Sequence, residues 1–198
     1  MQINTDLAGL LGITLAIITL LVRVPRVRAF PLRQRAAVLM GIIVLVSIPM
    51  WGLSLAGFVR GITGDLSVST LLLLVLALAR SLSAKALVEN IDRLLMLRVI
   101  AIAAIAFYPL ALGFSSFDPY RLGYGNLWFM AFLLAFAVWS VLRYSQFLAL
   151  CIALAVAAWS AGWYESPNLW DYLLDPWLAI YAIVVQGKYW AQRRKINA

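Results

Sequence analysis

The feature that most constrains this chain is a series of apolar runs, each close to the length that crosses the hydrocarbon core of a bilayer. Soluble domains are about half apolar and about a quarter charged, whereas this chain of 198 residues is 65% hydrophobic and 12% charged. Its mean hydropathy is +0.95. We therefore predict an all-α integral membrane protein with about seven transmembrane helices, forming a single polytopic domain over residues 1–198. The predicted spans are Leu7–Val22, Ala36–Val59, Leu66–Ala84, Leu94–Phe114, Leu127–Leu142, Phe147–Trp163 and Pro176–Trp190.

The basic residues predict which ends of these helices face the cytoplasm, because Lys and Arg are retained on that side. Arginines follow the first span closely, from Arg23 to Arg35, whereas the residues before it carry none. An N-terminus outside and a cytoplasmic C-terminus leave only Arg60 and Arg121, of the 16 basic residues, on the outer side. The pattern predicts a multi-pass protein of a bacterial-type inner (plasma) membrane.

The composition also excludes several kinds of chemistry. The sequence contains no histidine, so the commonest general base and the usual ligand of haem, copper and catalytic zinc are missing. Its one cysteine, Cys151, lies in an apolar run, and one cysteine alone forms no intrachain disulfide or thiolate cluster. We predict no cofactor and no metal. We also predict no nucleic-acid partner, because the basic residues lie between and after membrane-length runs.

Small residues recur at four-residue spacing on two of the predicted spans, which lets transmembrane helices approach closely. The second span has Gly52 with Ala56 and Gly57 with Gly61, and the sixth has Ala153, Ala157 and Ala161. These stripes predict helix packing seams. They are also candidate contacts with a protein partner or a second copy of the chain. In the second span we expect Pro49 to kink the helix, because proline removes a backbone donor.

Acids and aromatics are concentrated between the sixth and seventh spans, from Tyr164 to Trp177. The aromatic residues have the position of a membrane-interface belt. Ser166 and Pro167 predict the start of a short outer interfacial helix around residues 166–174. The last span begins either at Pro176 or near Asn168, and the second start would bring Asp171 and Asp175 into the hydrocarbon.

The candidate functional residues all fall on the predicted outer face. Asp65, Asp118 and Asp175 each precede a predicted helix, where a carboxylate caps the N-terminus and complements its dipole. Glu165 and Asp171 have no such structural role in the sequence. If they lie over the centre of the bundle, Arg60 and Arg121 meet them in a paired polar cluster, with Asp65, Asn168 and Asp175 as further members.

Two function hypotheses follow. In the first, the chain is a non-enzymatic membrane protein, either a subunit or assembly factor of an envelope complex or a protein that transports an amphipathic or lipid-type molecule through its outer face. Its partners are membrane lipids and either a second protein or a second copy. In the alternative, it is a membrane enzyme acting on a lipid or lipid-linked substrate. Arg60 and Arg121 then bind a phosphate, and Asp118, Glu165, Asp171 or Asp175 acts as the general base.

Overall fold

The computed structural model describes residues 2–50, 52–83, 88–143 and 145–196, and it is about 80% helical. This confirms the predicted all-α class. Within the described residues, two helices are long and apolar enough to cross a membrane, Thr5–Val22 and Asn90–Phe114. Shorter apolar helices are Val68–Leu82, Leu127–Leu142 and Gln146–Ser160. The count of seven crossings stays a prediction, and Ala84, the predicted end of the third span, lies outside the described residues.

The chain divides into two compact units. Unit 1 consists of Met1–Leu66, Thr70–Leu87 and Gly162–Glu165. In chain order its elements are α1 (Gln2–Val22), α2 (Pro25–Arg28), α3 (Leu32–Ser47), β1 (Pro49–Met50), β2 (Leu53–Ser54), α4 (Leu55–Thr63) and most of α5 (Val68–Ser83).

The helices of unit 1 pack through aliphatic side chains. α1 lies against α3 and α4, and Ile13 forms a buried cluster with Val46, Ala56 and Leu66. Further along α1, a second cluster consists of Ile18, Val22 and Leu39. α5 adds partly buried leucines to both clusters. The core of unit 1 therefore runs along the length of α1.

The predicted kink in the second span is wrong, because the structure shows a complete break. α3 ends at Ser47, and Ile48 is extended, with φ −67° and ψ 123°. Proline disfavours the helical conformation of the residue before it, which explains why the helix stops ahead of Pro49. The chain then forms the antiparallel pair β1–β2 and begins α4, whose first turn is capped by Ser54 accepting a hydrogen bond from the N–H of Gly57 at 3.1 Å.

Unit 2 consists of Ser67–Ser69, Val88–Ala161 and Ser166–Ala198. Its elements are α6 (Asn90–Ala111), a 3₁₀ helix (Pro119–Gly123), α7 (Leu127–Leu142), α8 (Gln146–Ser160), α9 (Trp170–Leu173) and α10 (Pro176–Ile196). The helix predicted around residues 166–174 is thus one turn, α9. The last helix begins at Pro176, as one of the two predicted starts has it.

α6 is central in unit 2, since both α8 and α10 pack against it. The sulfur atoms of Cys151 and Met96 meet at 3.8 Å in this packing, and Ala155 and Ala158 are buried on the same side of α8. The prediction that the small-residue stripe of this helix packs against another helix of the chain is wrong. Its three alanines, Ala153, Ala157 and Ala161, are exposed.

Candidate functional site

In unit 1 the guanidinium of Arg60 lies among three carboxylates, and we name this group the Arg60 cluster. Arg60 Nε and Nη2 donate to the two carboxylate oxygens of Asp65, at 2.6 and 3.1 Å. Nη1 donates to Asp6 Oδ1 at 2.8 Å, and Nη2 lies 3.7 Å from Glu165 Oε1. Of the paired polar cluster that the sequence suggested if Glu165 and Asp171 lie over the bundle centre, the structure brings together Arg60 and Glu165.

The electrostatics of the Arg60 cluster do not suit an anion. One positive charge faces three negative charges, and the two tightest partners, Asp65 and Asp6, accept hydrogen bonds from all three guanidinium nitrogens. The carboxylates raise the pKa of Arg60 above its ordinary value, chiefly through the hydrogen bond to Asp65. A phosphate would have to displace these acids, so this geometry gives no support to Arg60 as a phosphate ligand.

Helix α1 approaches the Arg60 cluster closely at a glycine. A Cβ atom built on Gly9 would overlap Arg60 Nε and Asp65 Oδ1. The absence of a side chain at this position therefore allows the guanidinium and the carboxylate to lie against the helix backbone.

In unit 2 the segment 166–174 is bound to the loop 118–126, and we name this pair the loop clasp. Three hydrogen bonds of 2.9 Å run from the segment to loop carbonyls, from Asn168 Nδ2 to Tyr120, from Leu169 N–H to Gly123 and from Trp170 Nε1 to Pro119. The indole of Trp170 lies between two phenyl rings, with centroids 4.4 Å from Phe107 and 4.7 Å from Phe129. The segment is thus a fixed part of unit 2.

Asp171 has a structural role within the loop clasp. Its Oδ2 accepts hydrogen bonds from the hydroxyl of Tyr120 at 2.9 Å and from that of Ser166. Burial, and then the hydrogen bond to Asp171, raise the pKa of Tyr120 above its ordinary value. The tyrosine therefore remains a neutral hydrogen-bond donor at physiological pH.

Asp175 is a buried capping residue. Its Oδ1 accepts from the N–H of Leu178 at 2.9 Å, which caps α10. Its Oδ2 accepts from both the N–H and the hydroxyl of Ser67, at 3.0 and 2.7 Å. Asp175 is 3% exposed and Ser67 is fully buried. One carboxylate therefore binds the residue that precedes α5 and caps α10.

The remaining predicted site residues, Asp118, Asp65 and Arg121, have different kinds of contacts. Asp118 caps the 3₁₀ helix by accepting from the N–H of Tyr120 at 2.9 Å. The carboxylate of Asp65 accepts from Arg60 instead of capping a helix. Arg121 is exposed, and no carboxylate of the described residues lies within ion-pair distance of it. Arg60 belongs to unit 1, and Arg121 to unit 2.

Three residues that organise these sites were not among the predicted site residues. Asp6 belongs to the Arg60 cluster, and its position at the predicted outer end of the first span was a usable signal. Tyr164 is buried and donates from its hydroxyl to the carbonyl of Leu66 at 2.7 Å. Ser67 binds Asp175. The last two contacts join residues about one hundred positions apart, and nothing local in the sequence indicates them.

Among the described residues there is no group of three or more His, Cys, Asp or Glu side chains placed to hold a metal ion. Comparison of the chain with protein-family models, with curated proteins and with solved structures gives no match.

Proposed function

We propose that this chain is an integral membrane protein that acts without catalysis, as a subunit or assembly factor of a membrane complex. Its seven crossing helices are α1, α3, α5, α6, α7, α8 and α10, with the N-terminus outside. Large apolar side chains on these helices are exposed, among them Leu11, Met40, Ile102 and Leu134, at 60–68%. A soluble monomer rarely exposes extended apolar patches, whereas lipid-facing helices do so along their whole length.

Contacts inside unit 1 are consistent with this topology. The Arg60 cluster joins four residues that the proposal places on the outer side. Arg35 donates to the carbonyls of Arg28, Phe30 and Ser81, at 2.7–3.1 Å, and all of these lie on the proposed inner side. Helices that alternate in direction bring residues of one side together, and these contacts follow that rule.

The observation that carries the subunit role is the alanine stripe of α8. Ala153, Ala157 and Ala161 are exposed, although α8 packs through its other face onto α6 and α7. Small residues at this spacing let a second transmembrane helix approach closely. The alternative of an enzyme loses support because the Arg60 cluster is occupied by its own acids and Asp171 is bound within the loop clasp.

The subunit role is tested by measuring mass in mild detergent, with protein isolated from its own membranes at native expression. We expect a protein mass well above the 22.0 kDa of one chain. Ala157→Leu should return it to one chain, whereas the matched control Ala135→Leu, at an exposed alanine of α7, should not. A wild-type protein that runs as a single chain contradicts the subunit role.

The topology is tested separately, by labelling single cysteines in a Cys151→Ala background with a membrane-impermeant maleimide. Ser116→Cys lies in an exposed loop and should react in intact cells. Gln192→Cys, exposed near the end of α10, should react only after permeabilisation. The reverse pattern contradicts the proposed orientation.

A further inference from the structure

The segment between α3 and α5 has no place among the seven crossing helices. After Ser47 the chain forms a short hairpin in which, among the described residues, the pairing consists of Pro49 with Ser54 and Met50 with Leu53. Hairpin residues are exposed, with Met50 at 63% and Leu53 at 53%. Unpaired backbone groups are not tolerated in hydrocarbon. In a membrane this hairpin therefore lies outside the hydrocarbon core.

Helix α4, which follows the hairpin, has an exposed apolar face. Leu55, Phe58 and Ile62 are 51%, 58% and 70% exposed and share one side of the helix. The opposite side carries Ala56, buried in the core of unit 1, and Arg60. A helix on the surface of a soluble protein has the reverse arrangement, with its charge toward water and its apolar face inward.

The Arg60 cluster fixes the level of α4 relative to the other helices of unit 1. Arg60 binds Asp6 in α1 and Asp65 just before α5, and the proposed topology places both acids at the outer headgroups. α4 has 9 residues, so its length is about 14 Å, roughly half the thickness of the hydrocarbon core. It is too short to cross and is held at the outer surface.

The exposed apolar face of α4 also continues onto a crossing helix. Val44, Leu45 and Ile48, at the end of α3, are exposed at 48–65%, and the apolar hairpin residues lie between them and α4 along the chain. We propose that the hairpin and α4 form an interfacial anchor, in which Leu55, Phe58 and Ile62 are embedded in the outer leaflet. This inference rests on the proposed membrane topology, and its ligand is lipid.

The experiment measures the depth of single fluorophores in vesicles of brominated phosphatidylcholine. Bimane is attached at Phe58→Cys or Ile62→Cys in the Cys151→Ala background. Gly61→Cys is the matched control in the same helix, since Gly61 is exposed and a Cβ there contacts nothing. Met40→Cys and Leu134→Cys report the middle of α3 and α7. Bromines are placed either near the headgroup or near the middle of the acyl chains.

We expect labels at Phe58 and Ile62 to be quenched about twofold more by shallow than by deep bromines, as for an in-plane helix. The label at Gly61 should be quenched less by lipid and more by aqueous iodide. Three results overturn the anchor. If the labels at Phe58 and Ile62 are quenched mainly by iodide, the face contacts water, and if they are quenched mainly by deep bromines, it crosses the hydrocarbon core. If neither quencher acts, the face is covered by protein. If the Met40 and Leu134 labels also escape deep bromines, the membrane topology itself fails.

Discussion

At the scale of single residues, Asp175 has the most demanding environment in unit 2. A carboxylate that is 3% exposed is stable only if its lone pairs are matched by donors. Its donors include the N–H and the hydroxyl of Ser67 and the N–H of Leu178. The position before α10 adds the positive end of a helix dipole. The carboxylate is therefore structural in two ways, as a cap and as a link to the residue before α5.

Substitutions at this site should destabilise the protein in a fixed order. Asp175→Ala removes the carboxylate that accepts from the N–H groups of Ser67 and Leu178 and should cost about 1–3 kcal/mol, whereas Ser67→Ala removes one hydroxyl donor and should cost about 1 kcal/mol. Asp175→Asn should fall between them. Thermal unfolding in detergent, followed by tryptophan fluorescence, measures the order. The control Glu89→Gln, at an exposed acid whose side chain makes no capping bond, should have no effect; equal stability of all variants contradicts the capping role.

The raised pKa of Tyr120 predicts that the stability of the folded protein depends on pH in the alkaline range. Its pKa is raised in the folded protein above the ordinary value of 10.0, by burial and then by Asp171, so the folded state holds the phenolic proton more tightly than the unfolded chain. The stability from this proton is complete below about pH 10 and is lost as pH rises above it. Between about pH 9 and about pH 11, the unfolding temperature of Tyr120→Phe should therefore fall less than that of the wild type.

The matched control for this comparison is Tyr181→Phe, at an exposed tyrosine of α10, which should follow the wild type. If Tyr120→Phe loses as much stability with rising pH as the wild type, the hydroxyl of Tyr120 does not hold its proton in the folded state as we infer.

The sequence predicted some of these residue contacts and not others, for physical reasons. Contact between Arg60 and Glu165 was a conditional prediction, since both lie on the predicted outer side and would meet if Glu165 lay over the bundle centre. The bond from Tyr120 to Asp171 was not expected, although the two residues share that side. Predicted sidedness narrows the candidates for a contact, but the choice among them depends on how two loops pack, and that packing is not encoded by local spacing.

At the scale of elements, the loop clasp depends on close approach at Gly123. A Cβ atom at this position would overlap Asn168 Oδ1 and lie 2.8 Å from Cδ1 of Trp170. Gly123→Ala should therefore cost about 1–3 kcal/mol by overpacking and loosen the loop. Because Arg121 is exposed in this loop, limited trypsin digestion should cut after Arg121 faster in the variant.

Gly187→Ala is the matched control for the loop clasp, because a Cβ there has no neighbour within 4 Å. It should leave the rate of cleavage after Arg121 unchanged. Equal cleavage in the wild type and in Gly123→Ala would show that the loop is not held by the segment 166–174.

The helices themselves were predictable where an apolar run was the only local signal in the sequence. The apolar runs behind α1, α7, α8 and α10 correspond to single helices in the structure, because no proline lies in their interior to remove a helical hydrogen bond. The run behind α6 contains Pro109 near its end and stays helical there. The prediction of a single helix for the second span was wrong because two helix-breaking residues lie close together in it. Pro49 stops α3, and Gly52, with φ +88°, turns the hairpin. Either residue alone is compatible with a bent helix, and their separation by two residues was the signal for a turn.

At the scale of the whole molecule, each unit takes a short segment from the opposite half of the chain. Gly162–Glu165 belongs to unit 1 and Ser67–Ser69 to unit 2. Within unit 1, Tyr164 binds the carbonyl of Leu66, and within unit 2, Asp175 binds Ser67. Neither unit is complete if the chain is divided between residues 87 and 88, so the two halves should depend on each other.

We therefore predict that fragments 1–87 and 88–198, expressed together, assemble into one complex in the membrane. A tag on the first fragment should recover the second in mild detergent. Combining Tyr164→Phe with Asp175→Ala in the second fragment removes hydrogen bonds that join the two fragments, one to Leu66 in unit 1 and two to Ser67 in unit 2, and recovery should fall at least about tenfold, because about 1.4 kcal/mol corresponds to a factor of ten in association. The control Tyr181→Phe should leave recovery unchanged. Recovery that is equally high with the double substitution would show that the exchanged segments do not hold the halves together, and that apolar helix packing alone is sufficient.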